Sequence, residues 1–243
     1  ANLKVIIDFV PNHVAREYHS TCRPKGVEDL GATDNPAWAF SPLNNFYYIH
    51  EPFAPYFDIQ GYSESPARAT GNDCFTAHPS KDDWYETIKL NYGVFYQNGG
   101  EQQFDPIPNT WHKMLDILLF WANKGIDGFR CDMAEMVPQA FWSWAISHVK
   151  AQYPELLFIA EVYNPQLYRD YIAAGFDYLY DKVGMYDYLR GVTSKNWPVE
   201  GITQQWQAVD DIREHMLYFL ENHDEQRIAS GFFCGRGICA EPA

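Results

Sequence analysis

The stretch 109–132, with the sequence NTWHKMLDILLFWANKGIDGFRCD, contains the unit that decides the fold. Its apolar residues recur at the spacing of one helix face: Trp111, Met114, Leu115, Leu118 and Ala122. Gly125 is suited to end that helix, and residues 126–130 predict a short strand that reaches Asp132. The unit is therefore an amphipathic helix followed by an apolar strand with an acid at its carboxyl end.

Similar apolar runs predict four further strands, at residues 3–10, 156–160, 176–180 and 216–220. Helices are predicted between them, at residues 138–149, from Asn164-Pro165 to Gly175, and at about 203–215. Alternating strands and helices favour a parallel sheet with right-handed crossovers. The fold class is therefore α/β, either a (β/α)8 TIM barrel or an open doubly wound sheet.

Polar side chains at the predicted strand ends favour the barrel. They are Asp8, Asn12, His13, Arg130, Asp132, Glu161, His223 and Asp224. Barrel enzymes place catalytic groups at the carboxyl ends of several strands, whereas an open sheet concentrates its site at one switch point. The glycine fingerprint of a dinucleotide site is also absent from the sequence.

Residues 14–105 have a different character, with many prolines, glycines and aromatics and poor apolar periodicity. We predict an inserted domain there, and a barrel portion formed by residues 1–13 and 106–243. The remainder is long enough for about five units of roughly 31 residues each. We therefore expect a partial barrel, from about the third strand through the seventh, with no eighth strand in residues 234–243.

Composition narrows the choice of partners. The 243 residues include 18 basic and 32 acidic side chains, and a net charge of -14 repels nucleic acid. No apolar run approaches the ~18 residues of a membrane span, and no signal peptide is recognisable. Among five cysteines, Cys22 and Cys74 either form a disulfide or remain ordinary thiols, so the compartment stays open.

Three acids that follow apolar strands, Asp132, Glu161 and Asp224, suit glycoside hydrolysis with retention, which needs one nucleophile and one acid/base. Arg130 would keep Asp132 ionised, while the apolar strand before Glu161 would hold that acid protonated. Asp224, with His13 and His223, would bind sugar hydroxyls. Taken singly, a helix cap at Asp132, a lysine partner for Glu161 and a structural His13 remain alternatives.

Four segments carry a resemblance to a known family. Residues 8–13 (DFVPNH), 128–132 (GFRCD), Glu161 and 221–224 (ENHD) resemble, in order, the four signature regions of the alpha-amylase family of glycoside hydrolases. The resemblance implies a TIM barrel with a B domain inserted after the third strand, and a retaining enzyme acting on α-glucosidic bonds.

The same resemblance implies roles for individual residues. Asp132 would be the nucleophile, Glu161 the acid/base and Asp224 the stabiliser of the transition state. His13, Arg130 and His223 would bind the sugar at the cleaved bond, and Asn12 would ligate a structural calcium ion.

Glu135 and Met136 depart from the family pattern, because many alpha-amylases have Lys-His at these positions. This departure argues against the specificity of an ordinary endo-amylase and against the usual calcium site. We expect a hydrolase acting on starch-like α-glucans or maltooligosaccharides, with a transglycosylase or α-glucosidase of the same family as the alternative. A non-catalytic glucan-binding protein or partner subunit is the alternative from another class.

Overall fold

A computed structural model describes residues 3–21 and 23–234. Its strands are β1 (Ile6–Phe9), β2 (His13–Ala15), β3 (Tyr48–Ile49), β4 (Ala67–Arg68), β5 (Thr87–Lys89), β6 (Val94–Phe95), β7 (Glu101–Gln102), β8 (Gly128–Cys131), β9 (Leu157–Ala160), β10 (Tyr178–Tyr180) and β11 (Met216–Leu217). Its α-helices are α1 (Asn109–Ala122), α2 (Gln139–Lys150), α3 (Tyr168–Ala173), α4 (Asp187–Lys195), α5 (Gly201–Ala208) and α6 (Gly231–Cys234).

The main sheet has five parallel strands in the order β1-β8-β9-β10-β11. Each of these strands overlaps one of the five predicted segments, and helices connect the last four of them, as the alternation predicts. Although its apolar sequence is typical of a strand buried on both faces, β1 is partly exposed, with Ile6 at 37%. Within the described residues β1 is an edge strand, paired with β8 alone, so its outer side has no neighbour.

Helix α1 covers the predicted residues. Four of the five periodic apolar side chains, at positions 111, 114, 118 and 122, are buried in the core. Pro108 precedes the helix and Gly125 follows it in the left-handed conformation, with φ of 82°. The helix thus packs its apolar stripe against the sheet and turns directly into β8. Helix α4 follows one turn of π-helix at Lys182–Tyr186 and was not predicted, because its sequence (DYLRGVTSK) is short and mostly polar.

Between β1 and α1 the chain forms three small antiparallel sheets, β2 with β5, β3 with β4, and β6 with β7. Its buried aromatics Phe46, Tyr48 and Tyr92 belong to the same apolar cluster as Phe129 and Phe158 of the main sheet. The irregular segment therefore shares one continuous core with the sheet. Its boundaries as a separate domain, 14–105, stay a prediction.

Two other expectations concern residues that the structure does not describe. Cys22 and the tail 235–243 lie outside the described residues, so the Cys22–Cys74 disulfide and the expected absence of an eighth strand from the tail stay untested. No helix in the described part of the chain combines the length and apolar character that a membrane span requires.

Candidate active site

The carboxyl ends of three adjacent strands place the polar residues side by side. The Asp132 amide donates to the Phe9 carbonyl at 2.9 Å, which extends the β1–β8 ladder past the end of β8. The Glu161 amide donates to the Cys131 carbonyl at 3.0 Å and extends the β8–β9 ladder in the same way. Parallel register therefore brings Asp132 and Glu161 to one edge of the sheet.

Arg130 is the centre of the charge network at this edge. Its Nη1 donates to Asp132 Oδ1 at 2.6 Å and to Asp8 Oδ1 at 3.0 Å. Its Nη2 lies 2.8 Å from Glu161 Oε1 as an ion pair, without the alignment of a hydrogen bond. Burial alone would lower the pKa of Arg130, but the carboxylates of Glu161, Asp132 and Asp8 raise it above its ordinary value. One fixed cation is thus shared among three acids.

Glu161 is 3% exposed, and its two oxygens have different partners. Oε2 accepts from the Met133 amide at 2.9 Å, and Oε1 accepts from the Tyr163 hydroxyl at 3.0 Å. Met133 adopts the left-handed conformation, with φ of 43°, unusual for a residue with a side chain. Burial raises the pKa of Glu161, the Met133 amide, Arg130 and Tyr163 oppose that rise, and Asp132 adds to it. Desolvation dominates, as expected from the apolar strand β9.

These residues open onto a cavity of about 720 Å³ between the sheet edge and the irregular segment. His13, Asp132, Glu161 and Asp224 all line it. The opposite wall is residues 81–87, and Trp84 packs its ring 5.4 Å from the His13 ring. Burial lowers the pKa of His13, against the attraction of Asp132 and with the repulsion of Lys89, so the imidazole is neutral at pH 7.

Among the aromatic residues of the irregular segment, Phe46, Tyr47, Tyr48 and Tyr92 are buried in the core, and Trp38 does not line the cavity. Trp84 and Tyr85 do line it.

His223 and Asp224 lie beyond β11 and are the more exposed part of the site. His223 Nε2 lies 3.2 Å from Asp224 Oδ2, with side chains 63% and 51% exposed. Asp224 lines the cavity, whereas His223 does not line it and pairs with Asp224.

Asn12 lies behind the cavity wall and is 1% exposed. Its Oδ1 accepts from the Lys89 ammonium at 2.8 Å, and its Nδ2 donates to the Gly71 carbonyl at 2.7 Å. Calcium prefers six to eight oxygen ligands, and a cation already holds this oxygen. The described residues also contain no group of three His, Cys, Asp or Glu side chains that could hold a metal. The surroundings of Asn12 therefore do not fit a calcium ion.

Sequence reasoning did not assign a role to Asp8, Tyr163 or Lys89. Asp8 pairs in register with Arg130 across β1 and β8, so aligning the two strands by their charged ends could have found it. Tyr163 is two residues beyond Glu161, the spacing of side chains on one side of an extended chain. Lys89 reaches Asn12 over 77 positions, and no local signal in the sequence indicates this contact.

A profile described as "Alpha amylase, catalytic domain" matches residues 1–237. The chain belongs to the alpha-amylase family. Its sheet is accordingly part of a TIM barrel of that family. The family assignment thus confirms the resemblance of the four signature segments.

Two curated relatives that match part of this chain are maltosyltransferases. An alpha-1,4-glucan:maltose-1-phosphate maltosyltransferase of Chlorobaculum tepidum is 30% identical over 200 residues, which are 77% of this chain and 28% of that protein. The homologous enzyme of Cereibacter sphaeroides is 31% identical over 136 residues, 53% of this chain and 21% of that protein. The chain spans less than a third of the length of these two curated relatives.

Solved structures show the same fold. A debranching enzyme of Nostoc punctiforme matches with a TM-score of 0.64 and 19% identity, over 98% of this chain and 45% of that one. An alpha-amylase of Lactobacillus plantarum matches with a TM-score of 0.57 and 24% identity, over 93% of this chain and 44% of that one.

Proposed function

We propose that this alpha-amylase family chain carries the catalytic centre of a retaining glycoside hydrolase that acts on starch-like α-glucans or maltooligosaccharides. The observation that supports the proposal is the cavity lined by Asp132, Glu161 and Asp224, where Arg130 pairs with the first two. A carboxylate fixed by a guanidinium beside a second, buried carboxyl is the pair that double displacement requires.

In this mechanism Asp132 attacks the anomeric carbon while the Glu161 carboxyl protonates the departing glycosidic oxygen. The Arg130 guanidinium orients the Asp132 carboxylate through a hydrogen bond of 2.6 Å. Burial of Glu161 raises its pKa and so favours the protonated form that the first step needs. The covalent glycosyl-enzyme is then opened by water, from which the Glu161 carboxylate takes the proton.

Asp224, which also lines the cavity, completes the proposed centre. Its carboxylate would stabilise the positive charge that develops on the flattened sugar ring. The neutral His13 imidazole can exchange hydrogen bonds with a sugar hydroxyl without adding charge. His223 would bind a sugar at the exposed rim, since it pairs with Asp224 and does not itself line the cavity.

Glycosyl transfer is the second candidate, because the two curated relatives named above are maltosyltransferases. Transfer passes through the same covalent intermediate and differs only in the acceptor. The two reactions separate when the full-length gene product is incubated with maltooligosaccharides, with and without inorganic phosphate. Reducing sugar released without phosphate supports hydrolysis, whereas a maltosyl phosphate formed only with phosphate supports transfer.

The assigned nucleophile is tested with Asp132→Asn in the full-length protein. We expect kcat to fall by at least about 10³-fold on either substrate system, since an amide is a very poor nucleophile. Asp210→Asn, at an exposed ion pair with Arg213, is the matched control and should retain wild-type kcat. Equal activity of Asp132→Asn and wild type would refute the assignment.

A further inference from the structure

The cluster formed by Asn12, Lys89 and Asp73 joins the end of a barrel strand to the irregular segment. Asn12 follows β1, Lys89 ends β5, and Asp73 lies in the loop after β4. Lys89 Nζ lies 2.8 Å from Asn12 Oδ1 and 2.5 Å from Asp73 Oδ1. Both Asn12 and Lys89 are 1% exposed, so this is a buried cation with two oxygen partners from distant parts of the chain.

The ammonium is held on a further side by an aromatic ring. Lys89 Nζ lies 5.2 Å from the centroid of the Tyr96 ring, within the range of a cation–π contact. A buried lysine is costly unless its donors are satisfied, and here an amide oxygen, a carboxylate and a ring surround it. The site is therefore complete with one positive charge, and a divalent ion beside it would be repelled.

The cluster is also coupled to the cavity wall. The Asn12 carbonyl accepts from the Leu90 amide at 2.9 Å, and His13 pairs in register with Lys89 across β2 and β5. The Asn12 Nδ2 lies 3.3 Å from His13 Nδ1. Fixing the Asn12 amide thus fixes the backbone and the ring of the residue that lines the cavity.

We propose that the Lys89 ammonium serves as a built-in cation in this chain, tying the irregular segment to the end of β1 where a structural calcium ion was expected. Lys89 is accordingly a positioning residue for His13, and the connection needs no metal. Its effect on stability is independent of the proposed function, whereas its effect on turnover rests on it.

The first measurement is thermal unfolding of the full-length gene product in EDTA and in millimolar CaCl2. We expect the same Tm in both, within about 1 °C. A rise of Tm with calcium that Asn12→Ala abolishes would place a metal at Asn12 and overturn the proposal. A rise that Asn12→Ala retains comes from an ion elsewhere and agrees with it.

The second measurement uses Lys89→Met, which keeps the length of the side chain and removes the charge. We expect Tm to fall by about 6 °C or more, because Asp73 and Asn12 lose a buried partner. We expect kcat on maltooligosaccharides to fall by about tenfold, through displacement of His13, with no recovery on addition of calcium.

Lys150→Met is the matched control, because Lys150 pairs with Asp177 at 2.7 Å in a more exposed site away from the cavity. It should leave kcat within about twofold of wild type. If Lys89→Met does not fold, Asp73→Asn removes the charge of the partner, and asparagine tolerates the φ of 66° at this position. A Tm and a kcat equal to wild type in Lys89→Met or Asp73→Asn would overturn the proposal.

Discussion

The main sheet and the irregular segment use buried charge in different ways. On the sheet side, Arg130 is surrounded by Asp8, Asp132 and Glu161, so three acids share one cation and the balance is negative. On the irregular side, Glu64 lies between Arg16 and Arg68, at 2.7 Å from each.

This difference distinguishes charges placed to take part in a reaction, on the sheet side, from charges that hold the irregular segment together. The sheet side leaves carboxylates only partly neutralised and facing a cavity, as a reaction with developing positive charge requires. In the irregular segment the arginines also donate to backbone carbonyls: Arg16 Nε donates to the Tyr85 carbonyl at 2.7 Å. With sheets of only two or three residues per strand, side-chain ion pairs there replace the ladder bonds that hold the barrel together.

Among the substitutions that test this contrast, the largest loss of activity is expected at Glu161. In Glu161→Gln we expect kcat/KM on natural glucans to fall by about 10² to 10⁴-fold, because the departing oxygen no longer receives a proton. Substrates with good leaving groups, such as aryl glycosides, should lose much less in the glycosylation step. Steady-state kinetics on both classes checks this, and an equal loss on both would contradict the acid/base role.

At Glu64, whose side chain is 6% exposed, we expect a substitution to lower the stability of the fold through lost ion pairs, with no part in the reaction itself. Glu64→Gln should lower the free energy of unfolding by about 3 kcal/mol, since the buried Arg16 and the partly buried Arg68 lose their shared charge partner. Urea unfolding measures the change, with Glu28→Gln as control, because Glu28 is 64% exposed and should cost under about 0.5 kcal/mol. A loss no larger than that of the control would mean that the Glu64 ion pairs do not support the segment.

The smallest effect is expected at Tyr163, and it concerns pH. Tyr163→Phe removes a donor that favours the ionised form of Glu161, so the pKa of Glu161 should rise further. Because the first step needs the protonated acid, activity is lost as pH rises through this pKa. The alkaline limb of kcat/KM should therefore move to higher pH in the variant.

Tyr62→Phe is the matched control for that experiment. Tyr62 donates to Glu64 Oε2 at 2.5 Å. The substitution therefore removes the same kind of tyrosine–glutamate hydrogen bond from the irregular segment. Its pH profile should coincide with that of the wild type. A shift of equal size in both variants would show that the effect does not come from Glu161.

Much of the barrel side follows from local sequence. The stripe of Trp111, Met114, Leu118 and Ala122 needs only helical spacing to be recognised, and the structure buries all four. Acids at the ends of apolar strands are also visible in the sequence, because parallel strands align their carboxyl ends at one edge. The sequence therefore sufficed to propose Asp132, Glu161, Asp224 and His13 as neighbours.

Only the tertiary structure decided the partners of those residues. The sequence places an asparagine after β1 and a lysine 77 positions later, and it does not determine that a buried ammonium fills the place expected for calcium. Likewise, the left-handed Met133 that aims its amide at Glu161 is set by packing at the sheet edge. Periodicity and strand ends are local properties, whereas desolvated charges depend on which distant segments close around them.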